Sequence, residues 1–278
     1  VILKNPNPVP IYFQFMDANN EITCFNKKQD IELIRSVDGA IIVDISDWDR
    51  LGELSPVLRS NNIPLACIDH HIATDVIGEV QIVDRSVSST GELIYDFLLD
   101  SKADFNRTIV NALYTSILTD TGSFRYSNTT AQTHLIAADL HNRGVDIKTI
   151  FSNVYENYTK NRYYLMGHLL VNMNFECNDR MVWYVVTRDL IKKTGVQQWE
   201  IEGLSELTRN ISKVEISIMF TELDDGTKVS FRSKGNVPVN ELAHQFGGGG
   251  HKFACGAMLN IDTDTATSVV VQKAKKLL

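Results

Sequence analysis

Asp69-His70-His71 is the densest group of reactive side chains in this 278-residue chain. It closes the apolar run Ile63-Pro64-Leu65-Ala66-Cys67-Ile68, whose length and flanks predict a buried strand, so the polar side chains emerge where that strand leaves its sheet. Open α/β sheets keep their active sites at that end. Imidazole nitrogens and carboxylate oxygens suit Mn²⁺, Zn²⁺ or Fe²⁺, and an Asp beside them can fix ring orientation from behind. Two further carboxylates stand at comparable places, Asp44 after the apolar run 40–43 and Asp120 at the end of a helical segment. A pair of ions about 3.5–4 Å apart needs several carboxylates, at least one of them bridging, and clamps the attacking and leaving oxygens of an in-line displacement at phosphorus. Asp44 is the candidate bridge. Taken alone it reads equally as the cap of a following helix, and Asp120-Thr121-Gly122 alone reads as an ordinary turn.

A second group lies far along the chain. Four consecutive glycines, Gly247, Gly248, Gly249 and Gly250, precede His251. Unshielded backbone N–H groups in such a run can form an anion-accepting nest, and a following His can donate to the same anion. Just upstream, Arg232-Ser233-Lys234 ends a strand-like segment with two cations and a hydroxyl, which together with Gly248, Gly249, Gly250 and His251 would make a phosphate receptor. Taken apart, the glycines read as a flexible turn and the two cations as a solvated hairpin end. His134, His141, His168 and His244 lie on helical patterns and read as surface or packing residues.

The elements that must position these groups alternate through the first half. Strand-like runs at 40–43, 63–68 and 80–83 are separated by helical patterns at 30–37 and 48–60, and followed by one at 90–99 with Leu93, Ile94, Phe97 and Leu98 at three- and four-residue spacing. Ser88, Ser89 and Thr90 are cap-type residues before that helix. Further helices are expected at 106–119, 130–142 and 147–157. This alternation predicts a parallel sheet with helices on both faces, closing near residue 155. A helix within 156–177 is expected to link it to a smaller α+β domain at 178–278, where 181–187 and 214–220 read as strands and Asp224-Asp225-Gly226 as a hairpin turn.

Composition bounds the function. The net charge of −7, from 27 Lys+Arg against 34 Asp+Glu, argues against a footprint for duplex DNA and for a short ligand if that ligand is nucleic acid. No apolar run approaches bilayer length and the first residues lack the anatomy of a signal peptide, so no membrane association is expected. The four cysteines, Cys24, Cys67, Cys177 and Cys255, are widely separated and lie in or beside apolar segments, which suggests reduced, buried thiols and a cytoplasmic location.

In order and spacing, VDISD (43–47), IDHH (68–71), LTDTGSFRYSNT (118–129) and FRSKG with FGGGGHKFACGA (231–257) resemble the DHH phosphoesterases that carry a DHHA1 domain, most closely the nanoRNase and 3′-phosphoadenosine-phosphate phosphatase group. The resemblance covers essentially the whole chain. It implies a two-domain α/β architecture with a cleft between the domains, and two Mn²⁺ ions, or other divalent transition metals, bridged by Asp44. His70 and Asp120 would ligate one ion, His71 would face the scissile phosphate, and Asp69 would support the site from behind. Arg232, Ser233, Lys234, Gly248, Gly249, Gly250 and His251 would grip the far end of the substrate, and a homodimer is admitted. The family's first motif, a His followed by Asp-x-Asp, has no counterpart before Asp44, and Val1-Ile2-Leu3 resembles the family's second strand, so about 40 residues, one strand–helix unit, are expected upstream of Val1 and hydrolysis would depend on them.

The function expected on this basis is hydrolysis of very short oligoribonucleotides or of 3′-phosphoadenosine 5′-phosphate by two-metal activation of water. A phosphodiesterase for cyclic or linear dinucleotides, or a catalytically incomplete nucleotide-binding regulator, are the alternatives.

Overall fold

The computed structural model describes residues 1–61, 63–71, 75–201 and 203–278. They divide into two units, Val1–Asn157 and Tyr158–Leu278.

The first unit runs β1 (Leu3–Asn5), β2 (Ile22–Cys24), α1 (Lys27–Arg35), β3 (Ala40–Val43), α2 (Leu54–Ser60), β4 (Leu65–Asp69), β5 (Val80–Val83), α3 (Thr90–Asp100), α4 (Arg107–Asp120), α5 (Ala131–Asn142) and α6 (Ile147–Tyr155). Its strands are short, and α1, α4, α5 and α6 begin at side-chain caps. Asn106 accepts from the Ile109 amide at 2.9 Å, and Thr130 and Thr133 cap each other reciprocally. β3, β4 and β5 form a parallel sheet in that order, with Val43 opposite Ile68 and Asp69 opposite Val83. Parallel order needs a crossover between neighbours, and α2 supplies the one between β3 and β4.

Three expectations are corrected here. The helix expected over 48–60 is a 3-10 turn (Asp49–Leu51) and then α2, because Gly52 at φ 54 breaks the run between them. Helices α1 and α2 bury one face of the sheet, with Ile34, Val57 and Leu58 packed on Ile42 and Cys67. On the other face Ile41, Val43, Val80 and Ile82 are exposed, because α3 to α6 form a helical core of their own around Val110, Ile117, Ile136, Leu140 and Ile150. β1, expected at Val1-Ile2-Leu3, starts at Leu3 and pairs with β2 in a separate parallel ribbon.

The second unit comprises α7 (Lys160–Val171), β6 (Asn174–Glu176), β7 (Met181–Val186), α8 (Arg188–Thr194), α9 (Gln198–Ile201), β8 (Ile216–Glu222), β9 (Thr227–Ser233), α10 (Asn240–His244), β10 (Gly249–His251), β11 (Ala254–Leu259) and α11 (Thr263–Ala274). Its sheet has the order β10-β11-β9-β8-β7-β6, antiparallel except for β7 beside β8. The expected turn at Asp224-Asp225-Gly226 joins β8 to β9. Alternation divides the side chains: Ile216, Ile218, Phe220, Val229 and Phe231 pack on Leu242 of α10 and Val270 of α11, whereas Tyr184, Val186 and Met219 face the other way.

The helix expected as a linker is α7, and it is an integral part of the second unit. Its Leu165 and Leu169 are buried among Tyr184, Val186 and Leu190. Leu165→Ala is therefore expected to destabilise the folded protein by about 2–5 kcal/mol, read as a lowered midpoint in denaturant, with no comparable effect from a change at exposed Tyr164. Of the cysteines, only Cys67 and Cys255 are buried; Cys24 is exposed and Cys177 half-buried, all four being free thiols. No helix among the described residues is long and apolar enough to cross a membrane.

Candidate metal centre and substrate platform

Asp69, the last residue of β4, is fully buried. Its Oδ1 accepts from the backbone amides of His70 at 2.7 Å and His71 at 3.1 Å, and from the His71 ring, Nδ1 lying 2.7 Å away. Burial alone would raise the Asp69 carboxyl, but the hydrogen bonds from the His71 ring and backbone outweigh it and hold the group well below the usual carboxylate range. One carboxylate thus shapes the turn that carries both histidines. The same contact raises the His71 ring above the ordinary histidine value, against the effect of burial.

His70 stands between two carboxylates. Its Nε2 is 3.8 Å from Asp44 Oδ1 and 3.6 Å from Asp120 Oδ2. Those separations are too long for hydrogen bonds. They suit atoms sharing an ion, since ligands each about 2.0–2.2 Å from a metal stand no more than about 4.4 Å apart. His71 Nδ1 is also 3.8 Å from Asp44 Oδ1, and Asp44, Asp69, His70 and His71 each offer a ligand atom within 4.8 Å of the others. Burial and the neighbouring His71 depress the His70 ring, favouring the neutral imidazole that binds metals.

Asp120 ends α4, where outward carbonyl dipoles disfavour negative charge. Burial, and then the Asp44 charge, push its carboxyl up to about 7. A divalent cation reverses that penalty, so the donor set of two carboxylates and an imidazole fits a hard-to-borderline metal.

Asp44 adopts φ 63, a left-handed conformation that Asp tolerates better than most residues and that is concentrated at functional sites. It caps no helix: the next helical turn starts after Trp48. Its amide donates to the Ile68 carbonyl at 2.9 Å and its Oδ1 accepts from Thr90 Oγ1 at 2.7 Å. Asp84, which follows β5 as Asp44 follows β3, turns its carboxylate to the amide and hydroxyl of Ser86, while its own amide donates to the Asp69 carbonyl.

In the sequence Ser88-Ser89-Thr90 reads as helix-cap residues, and nothing local gives Asn128 a role. Asn128 Nδ2 donates to the carbonyls of Ser88 at 2.9 Å and Asp120 at 3.1 Å. The signal for Thr90 was a surplus: three hydroxyls in a row exceed what one cap consumes.

In the second unit the glycine run does not form an open nest. The amides of Gly247 and Gly248 donate to the His244 and Ala243 carbonyls, ending α10, and Gly249 to His251 form an edge strand paired with β11. A Cβ on Gly248 would lie 2.1 Å from the Gly256 oxygen and one on Gly250 2.8 Å from the Cys255 Cα, so the hairpin itself demands those glycines. Gly249 differs, for the nearest atom to its Cβ would be His244 Nε2 at 4.0 Å.

His251, Ala254 and Arg232 stand opposite one another across β10, β11 and β9, as do Gly249, Gly256 and Ser230. His251 and Arg232 therefore project from one face above a floor of small residues. Arg232 is ion-paired through Nε to Glu206 and donates from Nη1 to the Phe231 carbonyl at 2.9 Å. Ser233, one residue on, falls on the opposite face, buried, with its Oγ accepting from the Gly235 amide at 3.2 Å. Lys234 Nζ donates to the Ile211 and Ser212 carbonyls. Ser233 and Lys234, which the sequence groups with Arg232 in a phosphate receptor, are thus engaged within their own unit.

Residues 180–276 match the DHHA1 domain. The chain is 31% identical over 227 residues to the bifunctional oligoribonuclease and PAP phosphatase NrnA of Bacillus subtilis (strain 168), a stretch covering 80% of this chain and 71% of that protein. It is 29% identical over 248 residues to the probable bifunctional oligoribonuclease and PAP phosphatase NrnA of Streptococcus mutans, covering 84% and 78% of the two. Among solved structures, an exopolyphosphatase-related protein from Bacteroides fragilis matches with a TM-score of 0.92 and 27% identity, covering 98% of this chain and 82% of that one.

Proposed function

We propose that this chain, which belongs to the DHH–DHHA1 phosphoesterase family, hydrolyses very short oligoribonucleotides and 3′-phosphoadenosine 5′-phosphate with divalent cations, Mn²⁺ foremost, held by Asp44, His70 and Asp120. The observation that supports this most is the position of His70 Nε2, 3.8 Å from one carboxylate and 3.6 Å from another, in a cluster short of positive charge.

When bound, the ions supply the Lewis acidity that ionises water near neutral pH and polarises a phosphoryl oxygen. The chain's own residues do the rest. Asp69 holds Nδ1 of His71 and favours the protonated ring. From that position His71 would donate a hydrogen bond to the phosphate as negative charge builds on its non-bridging oxygens. Asp44, whose Oδ1 is 3.8 Å from both histidines, would hold metal beside the ring that faces the phosphate.

The DHHA1 unit would supply nucleotide contacts of its own, with His251 and Arg232 as donors and Gly249 admitting close backbone approach. The net charge of −7 supports a preference for short over long polyanions. The free cysteines support a reducing cytosolic setting.

Two measurements test this reading. Turnover by the full-length protein should be highest on RNA of two to about five nucleotides and on the bisphosphate, and fall steeply with length; equal rates on long RNA would remove the size limit. Gly249→Trp and Arg232→Ala should raise KM for a dinucleotide, the latter by a charge-assisted contact worth about 1.5–3 kcal/mol, while leaving a small chromogenic phosphodiester unaffected. Equal damage to both substrates would remove the DHHA1 unit from substrate binding.

A further inference from the structure

Asp44 is the most exposed carboxylate of the centre, with about half of its side chain in solvent (52%). A half-exposed Asp samples several rotamers unless something holds it. The hydroxyl of Thr90 does so, donating to Oδ1 at 2.7 Å from the first position of α3. Thr90 is itself buried, 7% exposed, so the donor is fixed before any ligand arrives.

The hydroxyl is not serving the helix. Ser89 occupies the N-cap position of α3 and makes no side-chain cap bond, so a Thr at the next position with its oxygen turned toward Asp44 gains nothing for helix stability. Asn128 adds a second link. Its amide joins the carbonyl of Ser88, two residues before Thr90, to the carbonyl of Asp120. The Asp44 carboxylate, through Thr90, and the backbone of Asp120, through Asn128, are thereby tied to the same segment at the start of α3.

We propose that Thr90 is a positioning residue of the metal centre: it locks the Asp44 carboxylate in the orientation that faces His70, with Asn128 fixing the start of α3 against Asp120. The proposal rests on the metal reading given above. Groups that orient ligands in this way typically account for about 10–100-fold in metal affinity.

The test is Mn²⁺ binding to the full-length protein, followed by calorimetry and by loss of the free-ion paramagnetic signal, for wild type, Thr90→Val, Thr90→Ser and His70→Ala. Thr90→Val should weaken the tightest Mn²⁺ site about 10–100-fold, with the metal-free thermal midpoint close to wild type, and Thr90→Ser should restore binding. Thr90→Ala removes the hydroxyl together with the γ-methyl, places no apolar group where the hydroxyl stood, and should match the valine variant if that one folds poorly. Wild-type affinity in both hydroxyl-free variants, alongside loss of binding in His70→Ala, would overturn the role of Thr90 and leave the metal centre standing. No Mn²⁺ binding by wild type, or binding unaffected by His70→Ala, would overturn the metal centre and the inference with it.

Discussion

His71→Ala is expected to lower turnover of a short oligoribonucleotide by about 10²–10⁴-fold while bound metal stays near the wild-type level. The reason is geometric. His71 commits Nδ1 to the buried Asp69 carboxylate at 2.7 Å, which orients the ring as a donor to substrate, whereas His70 turns Nε2 toward Asp44 and Asp120. His70→Ala should accordingly lose metal and turnover together. Metal analysis of both variants after gel filtration, paired with single-turnover rates, separates the two roles. If both variants lose metal to the same extent, the division between ligand and phosphate contact collapses.

Asp44→Asn should abolish measurable turnover, a loss of about 10³-fold or more, together with most of the bound metal. The amide keeps the shape of the side chain and an oxygen able to accept from Thr90, so the fold should survive. What disappears is the negative charge 3.8 Å from each histidine. A variant that keeps its metal and a tenth or more of its activity would show that Asp44 is not a ligand. The unfolding midpoint of the metal-free variant, expected to match wild type, guards against reading a folding defect as a metal defect.

The elements that bear the centre were legible because each has a strong local signature. The four-residue runs of β3 and β5 and the apolar approach to Asp69 read as strands, and α4 announces its start with Asn106 and its end at Asp120. What sequence could not show is tertiary. Thr90 and Asp44 are distant in the chain, and only the fold, which sets α3 beside β4, the neighbour of β3, brings hydroxyl to carboxylate.

The glycine run misled for a different reason. Glycine carries no side-chain periodicity, so nothing local says that Gly249 to His251 pair with Ala254 to Gly256 as an edge strand. Ser233 was mistaken by one step of alternation. Once β9 is a strand, Arg232 and Ser233 cannot share a face, and the period-two rule would have assigned the serine to the α10 and α11 side. The helix over 160–171 was legible as a helix but not as part of the second core, since its burial depends on partners that come later in the chain, from Tyr184 onward.

If divalent metal at Asp44, His70 and Asp120 drives phosphoester hydrolysis, the two must rise together when Mn²⁺ is titrated into chelator-stripped full-length protein and hydrolysis of a labelled diribonucleotide and ion binding are followed in the same sample. No turnover is expected without metal, turnover should rise in step with occupancy, and Asp44→Asn should show neither binding nor turnover. Undiminished hydrolysis by the stripped protein, or a Mn²⁺-dependent rate that Asp44→Asn leaves unchanged, would contradict metal-driven hydrolysis at these residues.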